Sequence, residues 1–407
     1  MNISQFHYTL KRGAGMLAAF LLAGLLLFAV LGTLSHTAAA APAFSCADVT
    51  GVSQSECEAL VDLYNSTGGD NWKNNTDWLV TNTPCDWYGL DCGYTPGIWS
   101  ISLPRNNLQG TLPASIGDFN SLGILVLEDN AISGTLPAGL GNLTTLVQLN
   151  LQRNDFTGTI PAWIGNLANL ENLTLGHNHF SGNIPSEIGA LSNLTALWLD
   201  GNQLTGSIPA SLGNLSAVRY FVLGDNQLTG SIPPELGNLS AARGIYLDNN
   251  QLSGSIPANL GGLPSLTALY LNDNLLTGSI PPELGNAPAL QTLKLNGNPL
   301  TGPIPDALGN ISPLRGLYLD HTTLTGGLPA TFGNLSSLAI LTVNDTPLSG
   351  TLPLALENTP LSTFYFDHTN LCIPADSGFL SWLFSIPNMQ GTFICSGKFI
   401  YLPLVVK

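Results

Sequence analysis

The sequence predicts a solenoid, a stack of short parallel strands closed at each end by a disulfide-bonded cap. Three observations lead to this fold class. Apolar residues return every 24 residues over most of the chain, asparagine and glycine return in the same frame, and all six cysteines lie outside the repeated region. One repeat of this length cannot bury its own apolar face, so such repeats are stable only when their neighbours stack on them.

Residues 1–43 are predicted to be a secretory signal peptide. Lys11 and Arg12 form a basic start, residues 14–34 form an apolar run, and small residues follow at 37–43. This order of segments is typical of a cleaved export signal. The apolar run is also long enough to span a bilayer, so an uncleaved membrane anchor stays open as the alternative. In either case we expect the rest of the chain to be extracellular, secreted or at the cell surface.

The six cysteines lie in two terminal segments, which we predict to be caps at residues 44–97 and 372–407. An even number of cysteines in an exported chain indicates disulfides rather than metal or redox chemistry. The sequence does not fix their connectivity, and pairing in sequential order is the simplest choice. That order joins Cys46 to Cys57, Cys85 to Cys92, and Cys372 to Cys395.

The repeats between the caps, at residues 98–371, follow the pattern L-x-L-x-x-N-x-L-x-G-x-[IL]-P. The frame starts at Ile101, returns every 24 residues to Leu341 and ends with a shorter unit at Phe364, which gives twelve predicted strands. The two apolar residues of L-x-L point into the core, while the residue between them faces outwards. The recurring Asn is expected to bond the backbone of adjacent turns, because a buried amide needs hydrogen-bond partners. Gly permits the tight bend that follows.

These units resemble the plant-specific class of leucine-rich repeats, whose consensus includes L-x-G-x-I-P. The segment from Cys85 to Cys92, CDWYGLDC, resembles the amino-terminal C-x-W-x-G-V-x-C motif of that family, with Leu90 in place of Val. Residues 56–72 resemble the helix and the Trp-containing loop of the same cap. The resemblance covers about residues 46–395 and implies a right-handed superhelix with an inner parallel sheet and a partial second sheet.

The same resemblance implies a binding role. Members of the family include receptor ectodomains and polygalacturonase-inhibiting proteins, which bind peptides, proteins or glycans. No kinase and no second apolar span follow the repeats in this sequence. The chain therefore looks more similar to bacterial secreted relatives than to a plant receptor of the usual form.

The outward position of L-x-L predicts a binding surface on the inner sheet. Strands lie about 4.8 Å apart, so this position forms one column down the stack. Aromatic side chains are enriched at binding hot spots, although the preference of Tyr for strands is an alternative explanation. We expect the column to be interrupted at Val222 and Lys294. Its predicted binding residues are Trp198, Tyr246, Tyr270, Tyr318 and Tyr365.

Carboxylates and amides form a second column, two positions further along each strand. Their oxygens accept hydrogens from hydroxyl or ammonium groups, which suits a sugar face or a cationic peptide. Asp is also common at this place merely because it ends a strand, and this explanation stays open. The predicted binding residues of the second column are Asp200, Asp248 and Asp320.

The sequence predicts no enzyme, no cofactor and no metal site. Motifs of zinc proteases, serine hydrolases and phosphate-binding loops do not occur in it. His321, Asp345 and His368 share one column and have suitable metal-binding groups. The outer two are about 9.6 Å apart at the backbone, so we expect a solvated polar rim there. A net charge of −15 disfavours nucleic acid as a partner.

We therefore expect an extracellular recognition module that binds a protein, peptide or glycan on its inner face. The alternative is a passive cell-envelope or adhesion spacer without a specific ligand. The aromatic column favours the first hypothesis, because a spacer has no use for exposed aromatic rings. Membrane association is expected only if the signal segment is an uncleaved anchor.

Overall fold

The computed structural model describes residues 44–93 and 97–391 of the chain. The predicted signal peptide at residues 1–43 and Cys395 lie outside the described residues. Within those residues, no helix has both the length and the apolar character needed to cross a membrane.

Each L-x-L segment forms a three-residue strand, and the strands pair in parallel in one sheet, called the inner sheet below. Equivalent residues of consecutive repeats pair with each other, so that Leu197 pairs with Phe221 of the next turn. Over the described residues this sheet has fourteen strands rather than the twelve expected. The twelve repeat strands are Ser100–Ser102, Ile124–Val126, Gln148–Asn150, Asn172–Thr174, Ala196–Trp198, Tyr220–Val222, Gly244–Tyr246, Ala268–Tyr270, Thr292–Lys294, Gly316–Tyr318, Ile340–Thr342 and Thr363–Tyr365.

The two additional strands come from the caps. Leu90–Asp91 pairs antiparallel with the first repeat strand, and Asn388–Gln390 pairs parallel with the last one. Each covers hydrogen-bonding groups at an edge of the stack that would otherwise be open to another chain. The repeat pattern does not predict them because neither cap strand carries the L-x-L motif.

The core is a continuous column of apolar side chains contributed by every turn. Leu197 and Leu199 are fully buried, whereas Trp198 between them is 37% exposed, as the alternation of a strand requires. Phe156 and Phe180 stack in consecutive turns with ring centroids 6.0 Å apart. Each fully buried leucine contributes about 1.5–3 kcal/mol to folding, so stability accumulates turn by turn.

The recurring asparagine forms the predicted ladder between turns. The Nδ2 of Asn202 donates to the carbonyl of Leu199 in its own turn (3.1 Å) and to that of Leu175 in the preceding turn (3.2 Å). Its Oδ1 accepts from the backbone N–H of Phe180 at 3.0 Å. Near the carboxyl end, threonines take this position and donate only to a carbonyl of their own turn: Thr322, Thr346 and Thr369.

On the opposite side of the core, most turns make a short outer strand and then a 3-10 helix after the consensus proline. The turn that begins at Tyr220 has only an isolated bridge at Ser231 in place of an outer strand, and the last turn leads to an α-helix. Gly158, at φ +79°, shows why glycine is needed at the bend within these strands. Five outer strands pair as one sheet and six pair two by two, which confirms the partial second sheet. The outer strands are Gln109–Thr111, Ala131–Gly134, Asp155–Thr159, His179–Asn183, Gln203–Thr205, Ser253–Gly254, Leu275–Leu276, Asn298–Pro303, Thr322–Thr325, Ser349–Thr351 and Asn370–Cys372.

The 3-10 helices of the repeats return the chain to the next inner strand. Most are five residues long, and each follows a proline that precedes the helix in extended conformation. Their apolar middle residue is buried against the core. The helices are Ala114–Asp118, Ala138–Asn142, Ala162–Asn166, Ser186–Ala190, Ala210–Asn214, Pro234–Asn238, Ala258–Gly262, Pro282–Asn286, Asp306–Asn310, Ala330–Asn334 and Leu354–Asn358.

The amino-terminal cap combines an α-helix, tryptophans and two disulfides. The helix Gln54–Ser66 begins with a capping box between Ser53 and Glu56. Trp87 is 1% exposed and packs on Trp78 with ring centroids 5.1 Å apart. The short 3-10 helices are Cys46–Asp48, Gly69–Asn71 and Pro84–Asp86. The predicted bridges Cys46–Cys57 and Cys85–Cys92 are both present.

The carboxyl-terminal cap closes the other end with the helix Ser377–Ser385 and the strand that follows it. Phe379 and Leu383 of this helix are buried against the last turns. Cys372 is disulfide-bonded. Its predicted partner, Cys395, lies outside the described residues.

Candidate ligand-binding face

The five predicted aromatic residues lie in one column of the inner sheet. Tyr246 pairs directly with Tyr270, and the column continues to Tyr318. Trp198 lies on the other side of Val222 from Tyr246. Tyr365 is in the same column but is separated from Tyr318 by Thr342, which is buried. Within this column the structure therefore brings Tyr246, Tyr270 and Tyr318 together, with Trp198 beyond Val222 and Tyr365 beyond Thr342.

Tyr220 joins this group, although it was not among the predicted residues. It begins the strand Tyr220–Val222, is 41% exposed, and has its ring centroid 6.5 Å from that of Trp198. Its side chain lies on the same face as Val222 because residues two apart in a strand share a face. The same alternation in the sequence would have found it, had both outward positions of each strand been considered.

The expected interruption of the column at Lys294 is wrong. The ammonium Nζ lies 4.2 Å from the ring centroid of Tyr270 and 5.4 Å from that of Tyr318. A cation at these distances is attracted to the negative face of an aromatic ring. Lys294 therefore connects its neighbours. The resulting surface, called the aromatic tract below, consists of Trp198, Tyr220, Tyr246, Tyr270, Lys294 and Tyr318.

Glycine at the start of two strands shapes the tract. A Cβ at Gly244 would collide with the Tyr246 ring, and one at Gly316 would lie 3.0 Å from the Tyr318 ring. Each ring therefore lies across its own strand, over the glycine. Tyr270 follows Ala268 instead, and its ring meets that of Tyr246 edge to face, at 4.9 Å and 78°.

The hydroxyls of Tyr246 and Tyr318 stay protonated at neutral pH. Burial raises the pKa of Tyr246, and so, to a smaller extent, do the neighbouring tyrosines and Asp248. Burial also raises the pKa of Tyr318. Each hydroxyl therefore both donates and accepts hydrogen bonds, next to an apolar ring that provides contact area.

The three predicted aspartates of the second column lie beside the tract but differ in their partners. Asp200 has a half-buried carboxylate 3.2 Å from the imidazole of His177, and burial raises its pKa despite this partner. Burial also raises the pKa of Asp248. Asp320 accepts a hydrogen bond from the Thr342 hydroxyl and lies 3.0 Å from the imidazole of His321.

Two further carboxylates escaped the sequence analysis. Asp225 and Asp273 follow the second column by one position and have left-handed backbones, with φ +53° at both. Asn and Asp tolerate this conformation better than most residues, which explains their presence immediately before the ladder asparagine. That sequence position could have identified them. We call Asp200, Asp225, Asp248 and Asp273 the acidic border.

The polar rim at the carboxyl end is a chain of contacts between histidine and aspartate side chains. Asp345 lies 2.9 Å from the Nδ1 of His368 and 3.5 Å from the Nε2 of His321. The pKa of His321 is raised, first by its hydrogen bond to Asp320. Among the described residues, no group of three His, Cys, Asp or Glu side chains has a geometry that would hold a metal ion.

The repeats match known families. Residues 243–300 match the family described as leucine rich repeat. Four consecutive repeats, at residues 145–167, 169–191, 193–215 and 217–239, match a second family with the same description.

Several solved structures are similar to the chain. The ectodomain of the Arabidopsis thaliana receptor kinase GASSHO1/SCHENGEN3, in complex with CASPARIAN STRIP INTEGRITY FACTOR 2, is 31% identical, with a TM-score of 0.74 over 83% of this chain and 44% of that one. The Arabidopsis receptor kinase HAESA, in complex with the peptide hormone IDA and the co-receptor SERK1, is 31% identical, with a TM-score of 0.63 over 78% of this chain and 58% of that one. The chain thus spans about half the length of each receptor structure.

A leucine-rich-repeat protein of Leptospira interrogans matches over most of both chains. It is 31% identical, with a TM-score of 0.59, and the match covers 72% of this chain and 71% of that one. The repeat register, the asparagine ladder and these matches agree: the chain belongs to the leucine-rich-repeat family.

Proposed function

We propose that this chain is a non-catalytic extracellular recognition module that binds a protein or peptide on its inner sheet, through the aromatic tract. The observation that carries this proposal is the tract itself. Six side chains from six consecutive strands, about 24 Å from end to end, form one surface. Trp198 and Tyr220 at one end of it are 37% and 41% exposed. The other four are partly exposed, and apolar surface that stays accessible to solvent marks interaction sites in soluble proteins.

The similar receptor structures support a protein or peptide ligand. HAESA was solved in complex with a peptide hormone and a co-receptor. The ectodomain of GASSHO1/SCHENGEN3 was likewise solved in complex with a second molecule. A glycan ligand, a closer relationship to polygalacturonase-inhibiting proteins and a bacterial secreted origin stay predictions from the sequence.

The competing spacer hypothesis gives the tract no role. Gly244 and Gly316 make room for two tyrosine rings, and Lys294 lies between two others. None of these features is needed to stack one repeat on the next, since the leucines of the core already do so. The arrangement therefore favours recognition over a passive spacer.

The experiment is capture of a ligand from the extracellular fraction of the source culture by the immobilised full chain. The double variant Tyr246→Ala/Tyr270→Ala should weaken binding by about 2 kcal/mol or more, as central hot-spot residues do. Its melting temperature should stay close to that of the wild type, because neither ring belongs to the buried core. Leu275→Ala/Leu354→Ala is the matched control, since it removes two exposed apolar side chains elsewhere. Full-strength capture by the tyrosine variant would contradict the proposal.

A further inference from the structure

The central carboxylates of the acidic border lack the cationic partners that neighbouring aspartates have. Towards the amino end, Asp129 pairs with Arg105 at 2.7 Å and with Arg153 at 3.8 Å. Towards the carboxyl end, imidazoles pair with Asp345 as described above. Among the described residues, no cationic group lies within 4 Å of the carboxylates at the centre, which are Asp225, Asp248 and Asp273.

These three aspartates lie on consecutive turns, and the charges of the outer two act on the middle one. The backbone N–H of Asp225 donates to the carbonyl of Asp248 at 3.0 Å. Burial raises the pKa of Asp248, and the negative charges of Asp225 and Asp273 raise it further, while the more distant charge of Lys294 offsets part of this. Three like charges beside an aromatic surface repel one another, and a cation placed among them would remove that repulsion.

A buried amide at the same place also lacks a partner. Asn272 is 9% exposed, and its Nδ2 donates to the carboxylate of Asp273 at 2.7 Å. Its Oδ1 is buried and has no hydrogen-bond partner. Buried polar atoms are nearly always bonded. The group that this oxygen lacks is a hydrogen-bond donor. Asp248 and Asp273 each accept a hydrogen bond from a neutral amide, at 3.3 and 2.7 Å, but neither has a cation within 4 Å.

The aromatic tract already holds one cation of its own. Lys294 places its ammonium 4.2 Å from the ring centroid of Tyr270, on the side away from Tyr246. The tract is thus suited to long cationic side chains, whose stems pack on rings while the charge stays near oxygen atoms. In its own column Tyr246 has Tyr270 on one side and Val222 on the other, so no lysine or arginine of the chain lies beside it in that column.

The arginines of the inner face do not supply this cation. Arg219 and Arg243 lie at the opposite border of the sheet, before their strands begin. Six residues separate Arg219 from Asp225, a distance of about 20 Å along an extended chain. Salt screens charges that are more than about 8 Å apart at physiological ionic strength. The inner face therefore has separate basic and acidic borders with the aromatic tract between them.

We propose that the ligand of the inner face carries a lysine or arginine side chain that lies on Tyr246 and pairs with Asp248 and Asp273. This inference rests on the proposed function, because it assigns the chemistry of a partner that binds the aromatic tract. The occupant is a basic segment of a protein or peptide. The hydroxyls of a neutral glycan could donate hydrogen bonds to these carboxylates but would leave their negative charges unpaired.

The test uses the full chain and three synthetic peptides of equal length: hexa-arginine, hexa-glutamate and a neutral hexamer of alternating serine and glycine. Binding is measured by titration calorimetry at physiological salt. Hexa-arginine should bind, and Asp248→Asn/Asp273→Asn should weaken it about tenfold or more, since bonds to charged groups are among the stronger ones. The control Glu283→Gln/Asp306→Asn removes two exposed carboxylates outside the inner sheet, so it should bind hexa-arginine like the wild type. Thermal melts establish that both double variants are folded.

Three results would overturn the inference. Equal weakening in both double variants would mean that hexa-arginine responds only to the net charge of the chain. Equal affinity for the neutral hexamer would mean that cationic groups are not selected. If hexa-arginine fails to bind the wild type, the inference is also wrong. The proposed function is judged separately, by whether capture of the extracellular ligand depends on Tyr246 and Tyr270.

Discussion

Asp248 shows at the scale of one residue how a binding group differs from a structural one. Its carboxylate is partly buried beside Tyr246, and burial raises its pKa above the ordinary value for Asp. A raised pKa in the folded chain means that ionisation favours the unfolded chain. Asp129, in contrast, has two arginine partners. A carboxylate that disfavours folding and lies beside the aromatic tract is the group that we propose the ligand pairs with.

Asp248→Asn should therefore leave stability unchanged or increase it at neutral pH. The ionised carboxylate destabilises the fold above its ordinary pKa, close to 3.9, and this penalty reaches its full size once the pH exceeds the raised pKa of the folded chain. Thermal melts at about pH 7 should show the variant melting at or above the wild type, with the difference vanishing near about pH 3. Asp306→Asn, on an exposed helix, is the control and should melt like the wild type. A clear loss of stability in Asp248→Asn at pH 7 would contradict this account.

At the scale of single elements, the asparagine ladder joins consecutive turns. Asn202 bonds the carbonyl of Leu175 and the N–H of Phe180, both in the preceding turn. The threonines near the carboxyl end make only the bond within their own turn, as Thr346 does to the carbonyl of Val343 at 2.6 Å. The asparagine amide thus connects consecutive turns, whereas the threonine hydroxyl bonds only within its own turn.

Two substitutions of Asn202 separate these roles. Asn202→Ala should destabilise the chain by about 1–3 kcal/mol, because it leaves buried backbone groups without partners. Asn202→Thr should keep the bond to Leu199 but lose the bonds to the preceding turn. Its stability should therefore lie between that of the wild type and that of Asn202→Ala. Urea unfolding measures the free energy of unfolding of both variants. Gln203→Ala is the control, because it removes an exposed amide. Equal stability of all variants would show that the ladder does not hold the turns together.

The elements that the sequence predicted correctly depend on local patterns. The strand around Leu197 and the ladder at Asn202 each follow from residues within one repeat, which is why the register was right along the stack. The strand Asn388–Gln390 was missed because it pairs by position at the edge of the sheet and has no repeat motif. Tyr246 was correctly placed in its column, but the way its ring lies over Gly244 depends on side-chain packing that periodicity does not specify.

At the scale of the whole molecule, the stacking of the repeats brings positions that are distant in the sequence together in one surface. The residues of the aromatic tract and of the acidic border recur about 24 residues apart, yet the inner sheet brings them within about 4.8 Å of the next turn. The fold class was predictable because it depends on the consensus positions. The chemistry of the ligand was less predictable from the sequence, because it depends on the non-consensus positions and on which carboxylates have partners. The net charge of −15 is consistent with a basic partner.

The most direct test of the central claim is hydroxyl-radical footprinting of the full chain, alone and with the extracellular ligand that it captures. If the ligand binds on the inner sheet, oxidation of Trp198, Tyr220, Tyr246 and Tyr270 should fall in the complex, because the ring surface that the first two expose and the last two partly expose becomes covered. Oxidation of Leu275 and Leu354, which are exposed elsewhere on the chain, should not change. Protection of these two leucines together with unchanged oxidation of the aromatic tract would place the ligand on another surface and contradict the claim.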